Sequence, residues 1–257
     1  VFSPQGDKIY FIRHKKKCPS GRLCIYDGDF YCFDLKTNQE QKLTNLRGGN
    51  LFFLHIFPDG RSFMFESDLF DDLGYMLFTF NLQNPNHLEP VVIDFSRYAR
   101  EPREIVYGYI PDRKDPSIKH RVVTNAYYEI RRFALSRDGK TLAFSWSNPE
   151  EPLGRQNEGY QLYVTDLATR KPHKLTSLPD GAYARSISPD GKVIYFTTLV
   201  GQIDFGQTYF PESTLWRINA DGTGQAPVRH DFSGLVGKQP WFTDNQALLA
   251  MKAVSQP

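Results

Sequence analysis

The stretch SPDGKVIYF, residues 188–196, reads as one complete hairpin. Asp190 and Gly191 form an Asp-Gly pair suited to a tight turn, because glycine adopts positive φ without steric cost and aspartate tolerates a left-handed conformation. Pro189 fixes φ and has no N–H to give a ladder, so the strand before it stops at Ser188. Residues 193–196 are β-branched and aromatic, which predicts a second strand leaving the turn at once.

The same unit recurs as FSPQGDKIYF (2–11), FPDGRSFMF (57–65) and SRDGKTLAF (136–144), with a weaker copy, FTDNQALLA (242–250), in which Asn245 replaces the turn glycine. The turn markers are spaced by 54, 79, 52 and 54 residues, so one interval carries about 25 extra residues. After each of the first four hairpins comes a second pair of strand-like runs. DFYCFDL (29–35) is followed by EQKLTNL (40–46), and YQLYVTDL (160–167) by PHKLTSL (172–178). Residues 76–93 and 214–230 fill the same place in the other two repeats. Four strands recurring at this period predict an all-β fold, a β-propeller of four-stranded antiparallel blades.

The pairing of SPDGKVIYF with the phrase LYVTDLATRKPHKLT (162–176), together with the ending WRINADGTGQ (216–225), resembles the TolB-like, or PD40, class of WD40-like propeller repeats. The resemblance covers about four fifths of the chain. It implies a propeller and leaves function open, because such repeats occur in periplasmic scaffolds, in sensor domains and in the propellers of prolyl-oligopeptidase-like enzymes. One domain is expected over 1–257, with blades at about 1–46, 47–95, 126–178, 179–232 and a partial 233–257, and an insertion at about 96–125. That makes about four and a half blades of a ring that the resemblance puts at six to eight. Val1 aligns with His55, inside an inner strand, so the sequence is expected to be a piece of a longer protein.

Composition sets limits on partners. A net charge of +2 gives no global field for nucleic acid, and the run RHKKK (13–17) reads as a solvated loop. No apolar run approaches the roughly 18 residues needed to cross a bilayer, so no membrane insertion is expected. Cys18 and Cys24 flank PSGRL at a separation compatible with a small disulfide, while Cys32 sits in a strand as a buried apolar thiol. A disulfide there would fit a periplasmic or secreted protein of bacterial type.

Blade geometry divides the loops between two faces. The Asp-Gly turns share one face with the turns between third and fourth strands; the long stretches at 13–28, 66–74, 145–159 and 197–213, and the insertion, belong to the other. Binding residues concentrate on long irregular loops held by a rigid scaffold. Counting back from the turn marker, the sixth position holds Leu54, Phe133, Arg185 and Gln239, and the seventh holds Phe53, Arg132, Ala184 and Lys238. Strand alternation would send only one row to the axis. Arg132, Arg185 and Lys238, with Arg131 and His55 nearby, form a candidate basic channel mouth for carboxylate or phosphate groups; pairing with neighbours such as Glu129 is the structural alternative.

Catalytic patterns are sparse. There is no G-x-S-x-G and no H-x-x-x-H pair, and the six histidines are scattered. The acidic runs DLFDD (68–72) and YDGD (26–29) do not match an EF-hand spacing. No catalytic residue, metal or cofactor is expected. The favoured reading is a non-catalytic binding propeller offering its long-loop face to a protein, peptide or glycan. The alternative is an accessory or substrate-gating propeller of an enzyme, either a prolyl-oligopeptidase-like serine peptidase or an acidic-sugar lyase, whose catalytic part lies elsewhere.

Overall fold

A computed structural model describes residues 1–17, 25–46, 50–67, 75–98, 103–111, 119–126, 130–148, 159–179, 181–200 and 212–228. Every regular element among them is a strand. The first sheet holds β1 (Lys8–Lys17), β2 (Ile25–Asp34) and β3 (Gln39–Lys42), with a bridge between Phe2 and Ile9 in the inner position. The second runs β4 (Leu51–Ile56), β5 (Ser62–Ser67), β6 (Met76–Asn81) and β7 (Asn84–Pro90). A separate hairpin, β8 (Arg103–Pro111) and β9 (Lys119–Ala126), occupies the extra residues between the second and third sheets. The third sheet is β10 (Ile130–Leu135), β11 (Thr141–Ser147), β12 (Tyr160–Asp166) and β13 (His173–Lys174). The fourth is β14 (Tyr183–Ile187), β15 (Val193–Val200), β16 (Glu212–Asn219) and β17 (Ala226–Pro227). All pairings are antiparallel between consecutive strands, which is the blade meander that the repeats predict. The partial blade expected at 233–257 lies outside the described residues.

Blades cohere through the seams between them. Between the first and second, Phe80 stacks at 4.8 Å on Phe30 and at 4.9 Å on Phe63. Phe95, Phe144, Trp146 and Tyr163 fill the next seam, and Ala143, Leu162, Ile194 and Phe196 the one after. The middle strands β5, β11 and β12 are buried on both faces, which is why their sequences are nearly continuous apolar runs.

The turn chemistry differs in one respect from the sequence reading. Gly191 has φ of 72° as expected, but Asp190 is not left-handed. Its carboxylate instead accepts hydrogen bonds from the Ser188 hydroxyl at 2.6 Å and the Lys192 N–H at 3.1 Å, while Ser188 Oγ accepts the Val193 N–H at 2.9 Å. Ser136 and Asp138 repeat the arrangement. These bonds hold the Asp138 and Asp190 carboxyls below their usual range. The KLT phrases also acquire a purpose. Thr44 Oγ1 accepts the Phe30 N–H and Thr176 Oγ1 the Leu162 N–H, each at 2.9 Å, closing the outer strand onto the third.

Turn glycines test the packing of one blade on the next. A Cβ at Gly139, where φ is 73°, would meet Phe57 Cδ1 and Pro58 Cδ at 3.0 Å, whereas one at Gly6, where φ is 72°, would meet nothing within 4 Å. Both substitutions by alanine incur the left-handed penalty of about 1 kcal/mol, and only Gly139→Ala adds a clash between blades. Thermal denaturation should therefore show a larger loss for Gly139→Ala than for Gly6→Ala. Equal losses would mean that the second and third blades do not touch at their turns.

The run 13–17 is not a loop. It is the end of β1, with Arg13 opposite Asp29 and Lys17 opposite Ile25, so part of the first long stretch is a ladder. Likewise Thr197 to Val200 pair with residues of β16, which shortens the expected loop at 197–213.

Candidate binding face

The two faces of the fold are fixed by backbone bonds. Leu82 N–H donates to Arg61 O, Leu167 to Lys140 O and Ala220 to Lys192 O, at 2.8–3.0 Å, so the Asp-Gly turns and the turns after the third strands lie together. The inner strands β4, β10 and β14 begin at the opposite end. There, Ile130 N–H donates to Tyr75 O at 3.2 Å and Ala182 N–H to Tyr160 O at 2.8 Å, linking the start of a third strand to the start of the next inner strand.

Inner strands do not alternate regularly. Each carries a bulge, between Phe52 and His55, between Arg131 and Phe133, and between Ala184 and Ser186. Phe53 and Arg132, seven residues before their turn glycines, sit at φ of 49° and 51°. The bulge frees N–H groups from the ladder, and the preceding blade takes them up. The Arg132 N–H donates to Glu66 Oε2 at 2.7 Å and the Ala184 N–H to Ser145 Oγ at 2.8 Å. Glu66 and Ser145 are 3% and 0% exposed. Both stand six residues after a turn glycine, so the clasp is part of the repeat.

Beside the bulge, one residue earlier in each inner strand, lie Phe52, Arg131 and Tyr183. With the tyrosines that open the third strands they form a line across the blades. His14 is 6.2 Å from Phe52 and Phe52 is 5.8 Å from Tyr75, ring centre to ring centre. The Arg131 guanidinium lies over Tyr75 at 4.2 Å and over Tyr160 at 5.6 Å; Tyr160 then meets Tyr183 at 5.5 Å. Arg132 covers the Phe53 ring at 4.2 Å, and Arg185 Nε donates to Thr197 Oγ1 at 2.8 Å. Burial pushes the Tyr183 phenol up, while the charges of Arg131, Arg132 and Arg185 pull the other way. The phenol is therefore neutral at ordinary pH.

Of the residues singled out in the sequence, Arg132 lies on β10 beside Arg131, and Arg185 on the adjacent β14. His55 does not carry charge with them: its ring packs 4.7 Å from Phe133, and burial lowers it to about 4. Lys238, Glu129, Gln239, Cys18 and Cys24 lie outside the described residues. Cys32 is a buried free thiol. The row through Phe52, Arg131 and Tyr183 was not weighed in the sequence, although the same counting from the turn glycine reaches it. On the opposite face a shallow cleft of about 440 Å³ is lined by Phe57, Asp59, Asn81, His87 and Glu89, among others. There Asp59 and Asn81 are engaged in their own turns.

No protein-family model and no curated protein matches the sequence. Solved structures do match. TolB from Acinetobacter baumannii is similar with a TM-score of 0.53 and 20% identity, over 89% of this chain and 42% of that one. An oligogalacturonate lyase from Vibrio parahaemolyticus gives a TM-score of 0.49 and 15% identity, over 88% of this chain and 50% of that one. The chain thus spans half or less of the length of these two proteins. At such identity the likeness describes architecture, and with the blades and their repeats it means that the chain folds as a TolB-like β-propeller.

Proposed function

We propose that this chain is a non-catalytic binding propeller, working in the periplasm or outside the cell, that presents its long-loop face to a protein, peptide or glycan. The observation that supports this is the line of aromatic rings with the Arg131 guanidinium at that face, from Phe52 through Tyr75 and Arg131 to Tyr160, which packs on the buried Tyr183. Flat rings stack on sugar rings or peptide planes, and arginine adds forked hydrogen bonds to acidic groups. Rigid aromatic anchors interleaved with arginine are the composition that dominates binding energy at interfaces.

Peptide and glycan arrays probed with the protein test the reading. Binding is expected to fall at least about tenfold in the Tyr75→Ala and Tyr160→Ala variants, in keeping with the size of such anchor contributions. Ligands retained equally by wild type and both variants would count against this face. Oligogalacturonate incubated with the protein should show no rise in unsaturated product, and a steady rise would favour the lyase alternative.

A further inference from the structure

We infer that the cleft on the turn face of the second blade is a site for a neutral sugar. The inference is independent of the long-loop face and stands on different residues. About 440 Å³ of space is lined from the β4–β5 turn, the end of β6 and β7. That volume falls within the range of small-ligand sites. The floor is fixed by its own hydrogen bonds. Asp59 Oδ1 accepts the Arg61 and Ser62 N–H groups at 2.9 and 2.8 Å, and Asp59 Oδ2 accepts the Ser62 hydroxyl at 2.6 Å. Ser62 Oγ in turn accepts from the Asn81 amide at 3.0 Å, and Asn81 Oδ1 accepts the Gln83 N–H at 2.9 Å. These bonds engage the Asp59 carboxylate inside its turn.

The rim supplies the groups that a ligand would meet. Gln83, Asn84 and Glu89 are exposed at the edge of the cleft. Among the described residues the Gln83 and Asn84 carboxamides make no hydrogen bond, and the Glu89 carboxylate stands 3.6 Å from His87. A carboxamide sets a donor and an acceptor side by side. Neighbouring hydroxyls of a sugar each donate and accept, so they match it in pairs. An ammonium ligand only donates and a phosphate only accepts, and either would leave half of each amide unpaired. No lysine or arginine lines the cleft, so an anion finds no fixed cation there. Phe57, half-buried, gives the wall an apolar patch for the C–H face of a sugar ring. A cleft this open to water binds one sugar unit at about 1 mM, which is lost when an array is washed and is read in solution.

Saturation-transfer NMR titrations with methyl α-glucoside, methyl α-mannoside and methyl β-galactoside test this, with galacturonate and butylamine as charged controls. Saturable transfer to at least one glycoside is expected. Asn84→Ala and Glu89→Ala, at exposed positions, should each weaken it about fivefold, the usual yield of one hydrogen bond. Lys36→Gln in the first blade should leave it unchanged. Thermal denaturation establishes that the variants fold. If one does not, glycoside-dependent shifts of the Asn81 and Asn84 side-chain amides in the wild type decide the matter, and their absence overturns the inference. No saturable transfer up to about 50 mM overturns it too, as does tighter binding of galacturonate or butylamine than of every glycoside. Loss in Tyr160→Ala with retention in Asn84→Ala would move the sugar to the long-loop face and overturn the cleft, leaving the reading of that face intact.

Discussion

Trp146→Ala is expected to lower the unfolding free energy by about 3–5 kcal/mol, the range for removing a large aromatic side chain from a packed core. Trp146 is 0% exposed and lies at the centre of the seam between the second and third blades. Its ring stacks on Phe95 at 3.8 Å and meets Tyr163 edge-on at 5.5 Å. Phe95 belongs to the segment after β7, so the indole joins one blade's exit to the middle strand of the next. Alanine would leave a cavity walled by rigid rings, which cannot collapse to fill it. Urea denaturation measures the effect. A loss below about 1 kcal/mol would show that the seam is not a continuous core.

Acidification should bring the second large effect, through His55. The imidazole ordinarily titrates near 6.5 and here is lowered to about 4, chiefly by burial. A lowered value means that the folded protein binds fewer protons than the unfolded chain between those limits. The neutral ring's contribution is therefore complete above about pH 6.5 and is lost as pH falls toward 4, on the order of 3 kcal/mol in total. His55→Gln removes the titration, so the variant's stability should fall less steeply between pH 6.5 and 4. Parallel curves for the two proteins would mean that the ring is protonated in the folded state.

The propeller was legible because its signals are local and repeated. Asp-Gly turns, β-branched runs and KLT closures recur at nearly one spacing, and each corresponds to a hydrogen-bonded feature of a blade. The candidate face was legible only in part. Counting from the turn glycine singles out Arg132 and Arg185 in two rows that alternation would separate, and the bulges that interrupt alternation in both strands carry no sequence mark. Left-handed backbone is expected at glycine, yet here it falls on Phe53 and Arg132. At Arg132 what stabilises it is Glu66 from the neighbouring blade, a contact between residues 66 positions apart. His55 was misleading for the opposite reason: a histidine near arginines suggests a cation, and enclosure beside Phe133 makes it neutral.

Two doubly substituted proteins of equal charge compare the faces directly. Arg131→Gln with Arg185→Gln removes two cations from the long-loop face, and Lys140→Gln with Lys192→Gln removes two from exposed positions on the turn face. Probed side by side on the same peptide and glycan arrays, the first protein should lose the acidic ligands that the wild type retains, and the second should keep them. Loss in the second with retention in the first would contradict the assignment of binding to the long-loop face.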